Sequence, residues 1–172
     1  AHWGRPWLKS LTALQVRKQS AGESWAAVFV QSLQQVDSVG DASTGLRVYA
    51  SCVAPLPKQD VALRVAGQRV MRYVITADRD YEYVALRAER AACCEPVLPT
   101  SGCQLQDGLY YYRTVRDNRT EYFFQSLPRG TYVIEEPVYV EREGSYATGL
   151  TTIVCQYASE FQARSARKRI GK

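Results

Sequence analysis

The sequence predicts an all-β chain built around an antiparallel β-sandwich, and three observations carry this prediction. Apolar and polar residues alternate in short runs from Leu46 onward, turn residues separate the runs, and the 172 residues include 12 tyrosines. Period-two alternation is typical of a strand with one buried face. Tyrosine fits the half-buried face of a sheet, and many short strands at regular turn spacing favour a sandwich.

The first strands follow from alternation. Residues 46–52 alternate cleanly, and residues 61–65 and 71–75 repeat the pattern. Residues 78–80, Asp-Arg-Asp, read as a turn, because aspartate hydrogen-bonds readily to nearby backbone. A short strand is predicted next, over residues 81–86.

The later strands include a hairpin. Residues 109–115 and 120–125 flank a turn at Asp117-Asn118 and predict two paired strands. Residues 131–141 predict a long strand interrupted by Pro137, which is therefore an edge or bulged strand. Residues 147–157 alternate again and predict the last strand.

Residues 90–108 predict a long loop. This segment contains two prolines and two glycines, shows no periodicity, and ends on an Asp-Gly turn signal. About twenty residues without secondary structure are unusual in a compact domain. The segment also holds Cys93, Cys94 and Cys103, so a tether or a function is expected there.

Two domains are predicted, over residues 1–45 and 46–172. Residues 38–45 are polar and contain glycine, which favours a linker. The apolar run at residues 25–30 is either a buried strand or the start of a helix, since periodicity alone does not decide. Two or three strands do not readily make their own core. The first 45 residues therefore belong to a neighbouring domain or lie against the sandwich.

Charge and hydropathy exclude several classes of protein. The net charge is +5, and much of the excess lies in a tail that is expected to be a solvated terminus, comprising Arg164, Arg167, Lys168, Arg169 and Lys172. No nucleic-acid-binding module accompanies these residues, so no nucleic-acid partner is expected. No apolar stretch reaches the 18 residues of a membrane span, so this segment is not expected to cross a bilayer.

No catalytic, cofactor-binding or metal-binding residue is predicted. The single histidine, His2, lies at the start of the chain, and no glycine-rich phosphate loop is present. No two cysteines have the C-x-x-C spacing of a zinc site. Four acidic residues are expected on a solvated strand face and its turn, namely Glu135, Glu136, Glu141 and Glu143. We therefore predict a protein that is not an enzyme and needs no cofactor.

The tyrosine run at residues 110–112 allows two interpretations. It places aromatic rings on both faces of a strand, as a sugar-stacking platform would. The favoured interpretation is a strand buried on one side with tyrosine hydroxyl groups at the rim. The five cysteines are likewise either buried thiols or members of one or two disulfides.

Several stretches in order resemble the C-terminal region of bacterial, Bacteroidetes-like alpha-2-macroglobulins. They run from Ser24-Trp25-Ala26-Ala27-Val28-Phe29-Val30-Gln31 through Arg90-Ala91-Ala92-Cys93-Cys94-Glu95-Pro96 and Leu127-Pro128-Arg129-Gly130-Thr131-Tyr132-Val133 to the segment 149–161. The chain departs from the family at Arg87-Ala88-Glu89 and at Ser159. The resemblance implies a macroglobulin-type sandwich similar to a receptor-binding domain, preceded by the end of another β domain.

The resemblance also implies a function. Such proteins are broad-spectrum endopeptidase inhibitors that trap a protease after it cuts a bait region. This segment would pack against or guard the thioester domain, a helical domain, and would contact neighbouring macroglobulin domains. Target proteases would be met through the full-length protein. The Cys-Gly-Glu-Gln thioester motif is absent from this chain.

The family further implies a place in the cell envelope, periplasmic or surface-exposed, with a lipid anchor on an N-terminal part outside this chain. That compartment favours a disulfide. The resemblance points to Cys93 with Cys155, and Cys94 with Cys103 is the competing pair. The alternative function is a stand-alone cell-surface sandwich that binds a carbohydrate or a protein ligand.

Overall fold

The computed structural model describes residues 15–25, 33–54 and 67–171. The chain divides into two compact units, residues 1–33 and 34–172. Within the first unit, residues 15–25 are exposed and form neither helix nor strand. The predicted strand at 61–65 and the residues 26–30 of the apolar run lie outside the described residues.

The second unit is all-β, and its described part contains thirteen strands and one short 3-10 turn at Val36–Ser38. The strands are β1 Ala42–Thr44, β2 Leu46–Val53, β3 Gln68–Ala77, β4 Tyr81–Glu89, β5 Cys94–Pro96, β6 Gly102–Gln106, β7 Leu109–Val115, β8 Arg119–Leu127, β9 Gly130–Val140, β10 Ser145–Ala147, β11 Thr151–Cys155, β12 Gln162–Ser165 and β13 Arg169–Gly171.

Eleven strands form one continuous antiparallel ladder in the order β5-β9-β3-β2-β1-β12-β11-β4-β8-β7-β6, and β10 pairs with β13 separately. The ladder folds over at β1, which joins β2 through a single residue pair and β12 through three. Strands distant in this order touch face to face: the rings of Tyr73 on β3 and Tyr122 on β8 are 5.9 Å apart. The predicted β-sandwich is therefore confirmed.

The core lies between the two layers, and alternation places it there. On β2 the buried side chains are Leu46, Val48 and Ala50, while Tyr49 is exposed. Strand β3 follows the same rule, and its buried residues pair with those of β2 across the ladder. Period-two burial therefore determines which face of each strand packs inward.

The prediction of a long loop at residues 90–108 is wrong. Strand β5 pairs with β9 and strand β6 pairs with β7, so both lie at the ends of the ladder. Strand β6 is largely exposed, and an edge strand without a buried face shows no alternation. The Asp107-Gly108 turn is confirmed: both residues have positive φ, as a two-residue hairpin turn requires.

The predicted last strand is also corrected. Strand β11 covers only Thr151–Cys155, and β12 and β13 follow it. The basic tail is not merely solvated. The Arg167 guanidinium forms a 2.6 Å ion pair with Asp37 and donates to the Thr148 carbonyl, while the Arg164 guanidinium donates to the Gly40 carbonyl.

Residues 38–45 contain β1, which pairs with β12 through Ala42, Ser43 and Thr44. This part of the predicted linker therefore belongs to the main ladder. The domain boundary after residue 45 stays a prediction.

Candidate interaction surface

The tyrosine run on β7 divides its rings between the two faces of the strand. Tyr111 points inward, where its ring lies 5.6 Å from that of Tyr122 and 5.4 Å from that of Phe124. Tyr110 and Tyr112 point outward and are 63% and 47% exposed. Core packing thus accounts for one ring of the run and leaves two rings on the surface.

These outward rings belong to a larger aromatic groove. The groove has a volume of about 450 Å³, and its exposed rings come from β4, β7, β8 and the turn after β11, namely Tyr83, Tyr110, Tyr112, Phe123 and Tyr157. The amide side chains of Gln125 and Gln156 also line it, and none of its lining residues within the described ranges is Asp, Glu, Lys, Arg or His. A mostly apolar groove with a few polar groups is the usual form of a binding site.

Tyr83 occupies this groove in a strained backbone conformation. Its φ is +55°, a value that is uncommon for residues other than glycine and costs roughly 1–3 kcal/mol. The ladder between β4 and β8 lacks a pair at this position, so Tyr81 and Val84, three residues apart, both point inward. Glu82 and Tyr83 are left exposed between them.

Two contacts hold the strained residue in place. The Gln156 N–H donates to the Tyr83 carbonyl at 2.9 Å, and the Tyr157 ring meets the Tyr83 ring edge to face at 5.1 Å. Tyr157 is itself 84% exposed. The turn after β11 and the irregular position of β4 therefore act together to present two rings to solvent.

A buried polar cluster lies inside the sandwich and joins its two layers. Glu136 on β9 is 3% exposed and accepts hydrogen bonds from Thr120 at 2.8 Å, Tyr122 at 3.1 Å and Arg113 at 3.3 Å. Arg113 also donates to the Leu98 carbonyl. The prediction of a solvated face is wrong for Glu136, because its side chain shares the inward face with Ile134 and Val138.

The hydrogen bonds of the cluster join the two layers of the sandwich. Burial, reinforced by the Glu136 carboxylate, raises the pKa of Tyr122 and of Tyr73 well above the ordinary tyrosine value. Both hydroxyl groups therefore stay protonated at neutral pH. Each Glu136 oxygen already accepts a hydrogen bond, so the carboxylate is occupied. In the described ranges, no group of three or more His, Cys, Asp or Glu residues could hold a metal ion.

All five cysteines are free thiols in this structure. The predicted pair of Cys93 and Cys155 is not brought together, because Cys155 pairs with Val84 near the start of β4, whereas Cys93 follows the end of that strand. The five steps from Val84 to Glu89 span about 16 Å at about 3.3 Å per residue. A disulfide needs Cα atoms within about 7 Å.

The competing pair is not in contact either. The thiol of Cys103, on the exposed strand β6, is hydrogen-bonded to the Tyr110 hydroxyl, which raises the pKa of Tyr110. The Cys155 thiol instead donates to the Glu82 carbonyl at 3.4 Å. The contact that the fold does make is between neighbours, with the Sγ atoms of Cys93 and Cys94 3.7 Å apart.

Comparison with known proteins gives one family and several similar folds. A family model described as the MG10 domain of bacterial alpha-2-macroglobulin matches residues 50–160. A Salmonella alpha-2-macroglobulin structure matches with a TM-score of 0.60 at 14% identity, covering 78% of this chain and 10% of that one. No curated protein sequence matches.

Two Escherichia coli structures give similar values. Trypsin-activated alpha-2-macroglobulin matches with a TM-score of 0.59 at 10% identity, over 77% of this chain and 10% of that one. A native fragment from MG7 to the C-terminus matches with a TM-score of 0.57 at 11% identity, over 74% of this chain and 23% of that one. The chain thus spans about a tenth of the longer relatives. At identities this low, the structural matches show a shared fold and nothing more.

Proposed function

Because the chain belongs to the bacterial alpha-2-macroglobulin family, as an MG10-type domain, we propose that it is a non-catalytic interaction domain of a protease trap. The full-length protein would be a broad-spectrum endopeptidase inhibitor. This domain would pack against other domains of the same polypeptide, the thioester domain and neighbouring macroglobulin domains. The observation that carries the proposal is the aromatic groove.

The physical argument concerns the groove's exposed rings. Five rings exposed by 41–84% form one surface, and contiguous exposed apolar surface in a folded protein marks an interaction site. Tyrosine and phenylalanine are enriched at interface cores, where charged residues are depleted. A groove without charged side chains suits an apolar ridge of a neighbouring domain, since no charge has to be desolvated when the two meet.

The experiment uses the full-length polypeptide that contains this chain. Tyr157→Ser and Tyr112→Ser are combined, and the inhibitor is challenged with trypsin. A trapped protease still cleaves a small peptide but not a large protein, because the trap is a steric barrier. With the double variant, we expect trypsin to cleave the protein substrate at least tenfold faster than it does with the wild-type inhibitor. The rate of peptide cleavage should be the same with both.

The matched control is Tyr49→Ser. Tyr49 is 52% exposed on β2, outside the groove, with the Lys168 ammonium 4.6 Å above its ring. This variant should trap trypsin as the wild-type protein does. If the double variant also protects the protein substrate fully, the groove has no part in trapping.

A second candidate function rests on the same groove, which is open and carries the amide side chains of Gln125 and Gln156 beside its rings. In this second function, the sandwich binds a carbohydrate or a protein ligand directly. Titration of the 172-residue chain with neutral oligosaccharides, followed by NMR, separates the two: saturable shifts confined to groove residues support the second function. Absence of shifts, together with loss of trapping in the double variant, supports the first.

The proposed location is the cell envelope, periplasmic or surface-exposed, with a lipid anchor on an N-terminal part of the full-length protein. In the part of the chain that the structure describes, we find no helix with the length and hydrophobicity needed to cross a bilayer. Fractionation of cells that express the full-length protein tests the location. Recovery in the cytosolic fraction would contradict it.

A further inference from the structure

Two neighbouring cysteines form a buried thiol pair at the point where the chain passes between the layers. Cys93 and Cys94 are 2% and 3% exposed, and their Sγ atoms lie 3.7 Å apart. They end a tight turn closed by a 2.9 Å hydrogen bond from the Cys94 N–H to the Ala91 carbonyl. The turn connects β4 of one layer with β5 of the other.

The backbone of both cysteines is attached to β9. Cys94 pairs with Val140 in the ladder, and the Cys93 carbonyl accepts the Glu141 N–H at 2.9 Å. Their side chains therefore point into the same buried space from a fixed backbone, and small rotations about the side-chain bonds bring the two sulfur atoms closer. No other pair of cysteines has a sulfur–sulfur contact among the described residues.

We propose that Cys93 and Cys94 form a redox-sensitive modification site at which a disulfide between the two neighbours closes and opens. The oxidant is a low-molecular-weight disulfide. One protein thiolate attacks it and releases one small thiol, leaving a mixed disulfide. The other protein thiolate then attacks the protein-side sulfur and releases the second small thiol. The protein pair is oxidised by two electrons, and the small disulfide is reduced to two thiols.

Geometry makes this disulfide easy to reduce. Neighbouring Cα atoms are about 3.8 Å apart, below the usual 4.4–6.8 Å of a disulfide, so the closed ring is strained. Strained disulfides have higher reduction potentials and are the labile, regulatory ones. Burial raises the pKa of Cys94 to about 12, which keeps the exchange slow in the folded state and favours closure during folding. The site is independent of the groove and of protease trapping.

The test is peptide mapping of the 172-residue chain. It is folded in glutathione disulfide, alkylated without reduction and digested with trypsin, which cleaves after Arg90 and Arg113 and leaves Cys93, Cys94 and Cys103 on one peptide, 91–113. We expect this peptide to carry one adduct, located on Cys103 by fragmentation, and to be lighter by two hydrogen atoms than the same peptide with two free thiols. Cys52 and Cys155 should be alkylated on their own peptides. Mild reduction should restore both adducts.

Two variants keep the result unambiguous. A chain with Cys52→Ser, Cys103→Ser and Cys155→Ser lacks every competing partner, including Cys52, which is close enough to influence the pKa of Cys94, and should show the same lightened peptide. In Cys93→Ser, Cys94 should be alkylated. Alkylation of both neighbours in the wild-type chain, or a cross-link from either of them to Cys52, Cys103 or Cys155, would overturn the proposal.

Discussion

At the scale of single residues, Tyr83 gives the sharpest test of the groove, because its strain can be separated from its ring. Tyr83→Gly and Tyr83→Ala both remove the ring, so lost ring contacts cancel between them. At a φ of +55°, glycine avoids a steric penalty of roughly 1–2 kcal/mol that alanine retains. The glycine variant should therefore be the more stable by about that amount in urea denaturation.

The control for this comparison is Tyr110, an exposed residue of β7 whose backbone pairs with Leu105 on β6. In an ordinary strand interior, glycine is less stable than alanine by roughly 0.5–1 kcal/mol. The order of the two variants should reverse between positions 83 and 110. The same order at both positions would mean that the backbone of Tyr83 carries no strain.

The buried cluster predicts a large effect from one carboxylate and a small effect from its neighbour. Glu136→Ala removes the ion pair of Arg113, whose Nε already lacks a hydrogen-bond partner, and leaves a buried charge. The expected loss is about 3–5 kcal/mol in the free energy of unfolding. Glu135→Ala breaks a partly exposed pair with Arg72 and should cost about 1 kcal/mol or less. Equal losses would contradict the assignment of the buried cluster.

The turn between β3 and β4 predicts a pH dependence at both extremes. Hydrogen bonds from Arg79 and Tyr81 lower the pKa of Asp78 to about 2, so its contribution to stability is complete above about pH 4 and is lost as pH falls through 2. Burial, and the bond to Asp78, raise the pKa of Tyr81 to about 12. That contribution is complete below about pH 10 and is lost as pH rises through 12.

Tyr81→Phe is the matched variant, since it keeps the ring packed against the tilted Phe161 ring, 5.5 Å away, and removes the hydroxyl group. Unfolding free energies of both proteins are measured from pH 2 to pH 12. The variant should lack the alkaline loss and show a weaker acid loss. Parallel profiles for the two proteins would exclude the Asp78–Tyr81 hydrogen bond.

Sequence could predict some of these residues and not others. Asp107-Gly108 indicated its turn correctly, whereas Pro137 led to the prediction of an edge or bulged strand and β9 instead lies between β5 and β3 in the ladder. The burial of Glu136 could have been predicted from alternation, since Ile134 and Val138 lie two residues away on the same inward face. The prediction of exposure was made because glutamate is usually found at the surface. The φ of Tyr83 had no signal, because it depends on a missing pair with β8 across the sheet.

At the scale of elements, β9 shows how an exposed edge is completed. Strand β5 and the following Val97 cover it only from Pro137 onward, where the Val97 N–H donates to the Pro137 carbonyl. Before that point, the Val133 N–H donates to the Asp107 carboxylate at 2.7 Å and the Glu135 N–H donates to the Gln106 amide oxygen at 3.1 Å. Pro137 has no N–H to satisfy. These side chains occupy positions where another strand could otherwise add.

The corner between β1 and β2 makes a prediction about Gly45. Its φ is +72°, and an added Cβ would lie 2.3 Å from the Tyr81 hydroxyl oxygen and 2.8 Å from a Phe161 ring carbon. Gly45→Ala should therefore destabilise the chain by roughly 1–3 kcal/mol or more, from backbone strain and the clash together. Thermal unfolding measures the effect.

Gly102 provides the control on β6. An added Cβ there meets nothing within 4 Å, and its φ lies outside the left-handed region. Gly102→Ala should be neutral or slightly stabilising. If Gly45→Ala were equally neutral, the fold-over of the ladder at this corner would not depend on a glycine.

Elements with a buried face were predictable from sequence, and short elements without one were not. Strand β2 was found from alternation and strand β7 from the turns that flank it, both almost to the residue. Strand β12 was missed because its inward residues are Ala163 and Ser165, which are too small or polar to mark an apolar stripe. The Ser165 hydroxyl accepts a hydrogen bond from the Ala50 N–H at 3.1 Å. This side-chain contact takes the place of a backbone bond between strands, and a hydrophobicity pattern cannot predict it.

At the scale of the whole molecule, the class of fold was predictable and the binding surface was not. Many alternating strands have few ways to bury their inner faces, and a two-layered sandwich is the common one. The groove, in contrast, takes rings from three strands and a turn that are far apart in sequence. Only the order of strands β4, β7, β8 and β11 in the ladder brings these rings together.

The position of β12 has a consequence for how the protein is made. Its partner β1 is synthesised first, and the bond from Arg164 to the Gly40 carbonyl joins residues 124 positions apart. At about 5–20 residues per second, the ribosome needs about 6–25 s to deliver the missing strand. Until then the open side of β1 is available to other chains, so the nascent polypeptide should depend on a holding chaperone during that interval.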